Sequence, residues 1–103
     1  MATKIPRSGQ REGGKKILVV DDEPRVIGFI RMNLELEGHQ IIEAHNGVEA
    51  LESIRTKLPD IVLLDVMMPE LDGFETLRML REFSSIPVIM LTAKGEENDK
   101  VYG

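Results

Sequence analysis

The protein has 103 residues, 42% of them hydrophobic and 30% charged, which suits one globular domain with an ordinary apolar core. It contains no cysteine, so disulfide bridges, zinc–thiolate sites and thiol catalysis are excluded. The formal net charge is −5; residues 1–14 contribute +2, so residues 15–103 carry −7. This negative charge argues against direct contact with nucleic acid. Because no segment has the pattern of a transmembrane helix or secretory signal, we expect a cytoplasmic protein without a membrane partner.

The first predicted strand and helix follow an N-terminal segment without apolar periodicity. Residues 1–14 hold glycine, serine and proline among scattered charges and predict a disordered leader. The apolar run 16–20 predicts a strand. A helix is expected from Pro24, a residue typical of the first helical turn, to the glycine at position 38, which is typical of a helix C-terminus.

Three further strands and two helices are predicted downstream. Residues 40–44 form a second strand, and residues 48–57 a short helix. The run 61–64 is uniformly apolar, as expected of a strand in the middle of a parallel sheet. A loop with proline and glycine then leads to a helix over about 74–82, a fourth strand over 87–91 and a helix-like stretch near 98–102. The phenylalanines at 29, 74 and 83 and Met32 are expected to lie in the core.

The alternation of strands and helices predicts an α/β domain with a parallel sheet over residues 15–103. Asp21 and Asp22 follow the first strand, Asp65 follows the third, and Thr92 follows the fourth. In such sheets ligands bind beyond the carboxyl ends of the strands, so these side chains are expected to share one site. Three crowded carboxylates resist simultaneous ionisation unless a cation is present, and Mg²⁺, or Mn²⁺ in its place, is the expected ion.

The site predicted in this way can support phosphoryl transfer. A carboxylate attacks phosphorus to form an acyl phosphate when a cation neutralises the incoming oxygens, and Asp65 is the candidate nucleophile. Asp21 and Asp22 are adjacent and point differently, so at most one is expected to touch the metal directly. The backbone carbonyl of Met67 can add another oxygen ligand, and the Thr92 hydroxyl either senses the phosphoryl group or caps the next turn.

Three segments of the sequence together resemble the receiver domain of bacterial two-component response regulators. They are residues 20–23 (Val-Asp-Asp-Glu), 63–73 (Leu-Leu-Asp-Val-Met-Met-Pro-Glu-Leu-Asp-Gly) and 88–93 (Val-Ile-Met-Leu-Thr-Ala). The resemblance implies a flavodoxin-like sheet of order 2-1-3-4-5. It also implies that a sensor histidine kinase phosphorylates Asp65, that Asp21, Asp22 and the Met67 carbonyl hold Mg²⁺, and that Thr92 acts as the switch.

The C-terminal sequence departs from the family pattern. Residues 93–103 look most like regulators with a winged-helix DNA-binding output domain, which is absent from this chain. The family's fifth βα unit, with its phosphate-pairing lysine, aromatic switch residue and last helix, is also absent, so a sheet of order 2-1-3-4 is expected. One apolar sheet face and the edge of the fourth strand should then be bare. We therefore hypothesise a fragment, or a chain that obtains the element by association, for instance as a dimer.

Three classes of function remain open at this stage. The first is a phosphoacceptor switch that catalyses only its own phosphorylation and slow dephosphorylation, as the regulatory part of a transcriptional regulator. The second is an aspartyl-phosphate hydrolase. Such enzymes have the sequence pattern Asp-x-Asp, in which the second carboxylate acts as acid or base, whereas this sequence has Met67 two residues after Asp65. The third is an interaction module, a pseudo-receiver, in which the pocket no longer reacts.

Overall fold

The computed structural model describes residues 14–91, in which strands and helices alternate. The elements, in chain order, are β1 (Lys16–Val20), α1 (Pro24–Leu36), β2 (Gln40–Ala44), α2 (Gly47–Lys57), β3 (Ile61–Asp65), α3 (Gly73–Leu80) and β4 (Val88–Leu91). The predicted elements are confirmed to within about two residues at each end. The leader, apart from Gly14, and the helix-like stretch near 98–102 lie outside the described residues and stay predictions.

The four strands form one parallel sheet of order β2-β1-β3-β4. This order confirms the predicted α/β fold of the flavodoxin type, with β3 in the interior of the sheet. Val20 of β1 pairs with Ala44 of β2 and with Leu64 of β3, so these three strands reach the same edge. Asp65 pairs with Leu91 of β4 and is therefore the last residue of β3 rather than the first residue of the loop.

The two faces of the sheet carry two apolar clusters, because successive strand side chains point to opposite sides. Helices α2 and α3 cover one face, and their larger cluster includes Leu18, Val62, Leu64 and Leu80. Helix α1 covers the other face through a smaller cluster. Its members are Ile17, Val19, Ile27 and Ile41, with Ile61 and Leu63 of β3 partly buried beside them. Within the described chain, the second face is therefore the less completely covered one.

The ends of α1 show which capping predictions hold. Pro24 is the first helical residue, as expected, but the N-cap Glu23 makes no side-chain capping bond. At the other end Gly38 adopts φ 97°, a conformation that glycine tolerates without steric cost. The backbone N–H of Gly38 donates to Glu35, and that of His39 donates to Leu34, which completes a Schellman motif.

The prediction that Phe29, Met32, Phe74 and Phe83 lie in the core is wrong. All four side chains are exposed. Phe29 and Met32 lie on the side of α1 away from the sheet, because Ile27, Ile30 and Leu34 occupy the side that packs. Phe83 follows α3 and instead contacts the guanidinium of Arg55, whose carbon lies 4.6 Å from the ring centre.

Among residues 14–91, no helix is long and apolar enough to cross a bilayer.

Two glycines of the fold predict opposite effects of substitution by alanine. A Cβ atom at Gly28 in the middle of α1 would meet nothing within 4 Å, whereas one at Gly73 would lie 2.3 Å from the carbonyl oxygen of Asp65. We expect Gly28→Ala to raise the free energy of unfolding by about 0.5–1 kcal/mol through helix propensity. Gly73→Ala should lower it by about 1–3 kcal/mol through steric overlap. Urea denaturation measures both, and a stabilising Gly73→Ala would contradict the observed packing of α3.

Candidate metal and phosphoryl-transfer site

The side chain of Asp21 is held at the carboxyl end of β1 by the turn that opens α1. Its backbone N–H donates to the carbonyl of Ala44 at 3.1 Å, which continues the β1–β2 pairing by one residue. Its carboxylate oxygen Oδ1 accepts the backbone N–H of Glu23 at 2.9 Å. Asp21 is buried, whereas the neighbouring Asp22 is exposed. The adjacent pair therefore presents one carboxylate inside the cleft and one at its rim.

Asp65 ends β3 directly beside this pair. The side chain is buried, and its Oδ1 accepts the backbone N–H of Met67 at 3.3 Å. The next residue, Val66, donates its backbone N–H to the carbonyl of Leu91 at 3.0 Å and so extends the pairing with β4. Asp65 is therefore positioned by its pairing with Leu91 of β4, one residue beyond the end of the pairing between β3 and β1.

The loop from β3 to α3 packs closely against the backbone of Asp65. The N–H of Gly73 donates to the carbonyl of Val66 at 3.0 Å, and only a residue without Cβ fits at this distance from Asp65. Asp72 caps α3 by accepting the backbone N–H of Glu75 at 2.8 Å. A glycine and a capping aspartate therefore close the loop that carries Met67.

The structure brings Asp21, Asp22 and Asp65 together, as the sequence predicted. One carboxylate oxygen from each lies within 4.8 Å of those of the other two. They share a cleft of about 380 Å³, which is lined by Asp21, Asp22, Glu23, Val26, Asp65, Met67 and Leu91. Within the described part of the chain this lining contains four carboxylates and no lysine or arginine. The cleft therefore favours a cation.

The spacing of these oxygens fits Mg²⁺. Two oxygens bound to one Mg²⁺ ion, each at about 2.1 Å, lie no more than about 4.2 Å apart. Atoms within 4.8 Å of one another reach this spacing through a shift of less than an ångström, or through one bridging water. The donor set consists only of carboxylates, which suits a hard cation that retains several water ligands.

The remaining predicted residues have different outcomes. Met67 lines the cleft with a side chain that is 60% exposed, and the role of its carbonyl as a ligand stays a prediction. Thr92 lies outside the described residues, so its role as a switch also stays a prediction. The sequence did not single out Glu23 as a site residue, whereas in the structure it lines the cleft and is the N-cap residue of α1. Its position immediately after two acidic residues was the available signal.

The comparison with protein families identifies this arrangement. Residues 17–103 match the family described as response regulator receiver domain. The chain belongs to this family, whose members are the receiver domains of two-component response regulators.

Curated relatives of the chain are transcriptional regulators. The chain is 50% identical over 90 residues to the alkaline phosphatase synthesis transcriptional regulatory protein PhoP of Bacillus subtilis. The match covers 86% of this chain and 38% of that protein. It is 52% identical over 88 residues to the transcriptional regulatory protein ResD of the same organism, covering 85% and 37% respectively. The chain therefore spans less than two fifths of the length of these relatives.

Solved receiver structures share the fold. The N-terminal domain of a response regulator receiver protein from Methanoculleus marisnigri JR1 is 42% identical with a TM-score of 0.75, and the match covers 82% of this chain and 75% of that one. The BeF3-activated N-terminal receiver domain of RstA from Klebsiella pneumoniae is 34% identical with a TM-score of 0.73, with 81% and 72% covered.

Substitution of the buried Asp21 allows the effects of charge repulsion and of metal binding on stability to be measured separately. Asp21→Asn keeps an oxygen that can accept the Glu23 N–H, so the turn should persist. Without divalent ions we expect the free energy of unfolding of this variant to be about 1 kcal/mol higher than that of wild type. The reason is that the substitution removes one of three carboxylates that repel one another. Mg²⁺ at ten times its dissociation constant should stabilise wild type by about 1.4 kcal/mol and the variant much less.

Thermal unfolding with and without Mg²⁺ measures this difference. Glu52→Gln is the matched control, because it removes an exposed carboxylate on α2. It should keep the full response to Mg²⁺. Equal stabilisation of wild type and Asp21→Asn by Mg²⁺ would contradict the assignment of the site.

Proposed function

We propose that this protein is the phosphoacceptor switch of a two-component phosphorelay and that Asp65 accepts the phosphoryl group. The observation that carries the proposal is the convergence of the Asp65 carboxylate with those of Asp21 and Asp22 in one cleft. The cleft opens at the carboxyl edge of the sheet, where parallel α/β folds bind their ligands. Asp21, Asp22, Asp65 and the Met67 carbonyl are the proposed ligands of Mg²⁺, with one of the adjacent pair Asp21 and Asp22 acting through a water molecule, and Mn²⁺ can replace the ion.

The proposed reaction needs little from the protein beyond position and charge. A carboxylate oxygen of Asp65 attacks the phosphorus of a phosphohistidine whose second ring nitrogen is protonated, the P–N bond breaks, and the imidazole takes the electron pair of that bond and leaves as the neutral ring. The product is an acyl phosphate on Asp65. Bound Mg²⁺ would neutralise charge on the phosphoryl oxygens. Asp65 is held by strand pairing and by the Met67 N–H, so the nucleophile is oriented before the donor arrives.

The proposed phosphodonor is a sensor histidine kinase, and the proposed output is control of transcription. Both rest on membership of the receiver family and on relatives named as transcriptional regulatory proteins. The acidic chain is not proposed to contact DNA itself, because its net charge of −5 would repel the phosphate backbone. A separate output domain would carry that contact.

A hydrolase that turns over an aspartyl phosphate rapidly needs an acid or base near the leaving oxygen. The residue two positions after Asp65 is Met67, whose thioether can neither donate nor accept a proton at neutral pH. Met67 is one of the residues that line the cleft. A long-lived phosphorylated state therefore agrees better with this cleft than rapid turnover does.

Phosphorylation by a small donor tests the function. We expect acetyl phosphate with Mg²⁺ to give a single phosphoryl adduct in intact-mass spectrometry, and no adduct in Asp65→Asn. Asp72→Asn is the matched control, because asparagine also caps helices and Asp72 does not line the cleft. It should be phosphorylated like wild type. Rapid consumption of acetyl phosphate without an adduct would favour the hydrolase, and no reaction would favour the interaction module.

The Met67 side chain predicts slow loss of the phosphoryl group. Met67 lines the cleft, and an apolar side chain there cannot hold a water molecule that attacks the acyl phosphate. We expect Met67→Asn to dephosphorylate faster than wild type, because an amide can orient that water. The decay of the adduct after removal of acetyl phosphate gives both rates. Equal or slower decay in the variant would contradict this reading.

Thr92 is proposed to respond to the phosphoryl group through its hydroxyl. Thr92→Ala should still accept the phosphoryl group on Asp65, but the spectral changes that phosphorylation causes in two-dimensional NMR should become smaller. Thr92→Ser keeps the hydroxyl and should preserve them. Equal changes in Thr92→Ala and wild type would exclude the role.

A further inference from the structure

Strand β2 lies at one end of the sheet, so in the described part of the chain its outer side faces no other strand. The backbone N–H of Gln40 donates to the carbonyl of Lys15 and therefore points to the β1 side. Because the backbone groups of successive strand residues alternate in direction, those of Ile41 and Glu43 point to the outer side. An outer strand with unpaired backbone groups can pair with an added strand.

An edge groove runs along the outer side of β2, between α1 and the end of α2. It has a volume of about 630 Å³. Because four consecutive residues of β2 line it, the groove follows the outer side of the strand rather than one face of the sheet. It therefore has the position that an added strand would occupy. Its lining consists of residues 40–43 of β2, Lys16 of β1, Arg31 of α1, and Thr56, Lys57 and Leu58 at the end of α2.

Arg31 covers part of the edge groove. Its Nη2 donates to the carbonyl of Ile41 at 3.2 Å, which agrees with the outward direction of that carbonyl. Its Nη1 lies 2.7 Å from a carboxylate oxygen of Glu43. Both side chains of this ion pair are partly exposed, and such pairs contribute little to stability. The guanidinium can therefore move to a carboxylate of an incoming strand.

Three outward backbone groups of β2 are available for pairing. They are the N–H groups of Ile41 and Glu43 and the carbonyl of Glu43, which have no hydrogen-bond partner among residues 14–91. Groups of this kind give an added strand its affinity, and the side chains beside the groove give it specificity.

The edge groove is basic, although residues 15–103 together carry −7. The charge of Arg31 is offset by Glu43, but Lys16 and Lys57 form no ion pair within the described part of the chain. The Nζ of Lys16 donates to the carbonyl of Lys57 at 2.9 Å, which holds this ammonium group beside the end of α2. Asp60 accepts the backbone N–H of Lys16 but does not line the groove.

These charges indicate the chemistry of the occupant. A second copy that paired through its own β2 would bring the same two lysines to the groove, so like charges would repel. Residues 1–14 of this chain carry +2 and are disfavoured for the same reason. A strand with carboxylate side chains is complementary to the groove.

We propose that the edge groove binds an extended acidic segment of a partner protein, which adds to the sheet beside β2. The N–H groups of Ile41 and Glu43 donate to carbonyls of this segment, and the carbonyl of Glu43 accepts one of its N–H groups. Alternate side chains of the segment point to the α2 side of the sheet, where carboxylates meet Lys16 and Lys57. The interaction does not involve Asp65 and goes beyond the proposed switch function.

A peptide titration followed by NMR tests the pairing. The probe is a short acetylated and amidated peptide of alternating glutamate and valine, added to the ¹⁵N-labelled 103-residue chain. One added strand buries less surface than a standard interface, so we expect a dissociation constant of roughly 0.1–1 mM. The amide signals of Ile41 and Glu43 should shift most. Those of Gln40 and Ala44, which point to β1, should shift less.

Two control peptides separate backbone pairing from charge. The same peptide methylated on its backbone nitrogens keeps its charges but cannot donate N–H groups, so it should bind at least about fivefold more weakly. A peptide with lysine in place of glutamate should not bind, because its charge has the same sign as that of the groove.

A pair of variants tests the role of the lysines. Lys57→Gln should weaken binding of the acidic peptide about threefold, because one ion pair of the complex is lost. Lys15→Gln is the matched control, because it removes the same charge from an exposed lysine that does not line the groove. It should leave the affinity nearly unchanged.

Several results would overturn the proposal. They are the absence of shifts at several times the expected dissociation constant, shifts centred away from β2, equal binding of either control peptide, and equal effects of Lys57→Gln and Lys15→Gln. Shifts of Ile41 and Glu43 that depend on protein concentration without peptide would assign the edge groove to a second copy of the chain and would also overturn it.

Discussion

The parallel pairing of β1 with β3 fixes the position of the candidate site. Val20 lies opposite Leu64, so the next residues, Asp21 and Asp65, lie side by side at the carboxyl ends of the two strands. A shift of one residue in this pairing would turn every side chain of the strand to the other face and separate the two carboxylates. Such a shift of β1 would also remove Leu18 from the larger cluster, where it packs with Val62 of β3. The apolar core therefore sets the geometry of the acidic cleft.

Repulsion between the three carboxylates of the cleft lowers the stability that the apolar core provides. Two unit charges 4.8 Å apart repel by roughly 3–4 kcal/mol at an effective dielectric constant of about 20, and by about 1 kcal/mol in water. Even at the value for water, three such pairs amount to about 3 kcal/mol, compared with the 5–15 kcal/mol that typically stabilises a domain. The exposure of Asp22 reduces this cost, since its charge is screened by solvent. A cation shared by all three removes it, which links the stability of the fold to occupancy of the site.

The fold and the three aspartates were predictable because they depend on local patterns. Apolar runs end in acidic residues, and parallel strands bring such ends together. The exposure of Phe29 and Met32 was not predicted, because a helix with two apolar faces does not reveal which face the sheet uses. The i, i+3, i+7 spacing with Leu36 was nevertheless present in the sequence. The place of Glu23 at the cleft was not predicted, because it depends on the turn around Asp21.

Paramagnetic broadening by Mn²⁺ tests most directly whether the three aspartates share one divalent ion. Substoichiometric Mn²⁺ added to ¹⁵N-labelled protein should broaden the amide signals of Asp22 and Met67 first. The signals of Lys16 and Gln40, which begin their strands at the opposite edge of the sheet, should remain sharp. Broadening centred on other acidic surfaces, such as the exposed Glu75 and Glu82 side chains beside Arg78, would contradict the account.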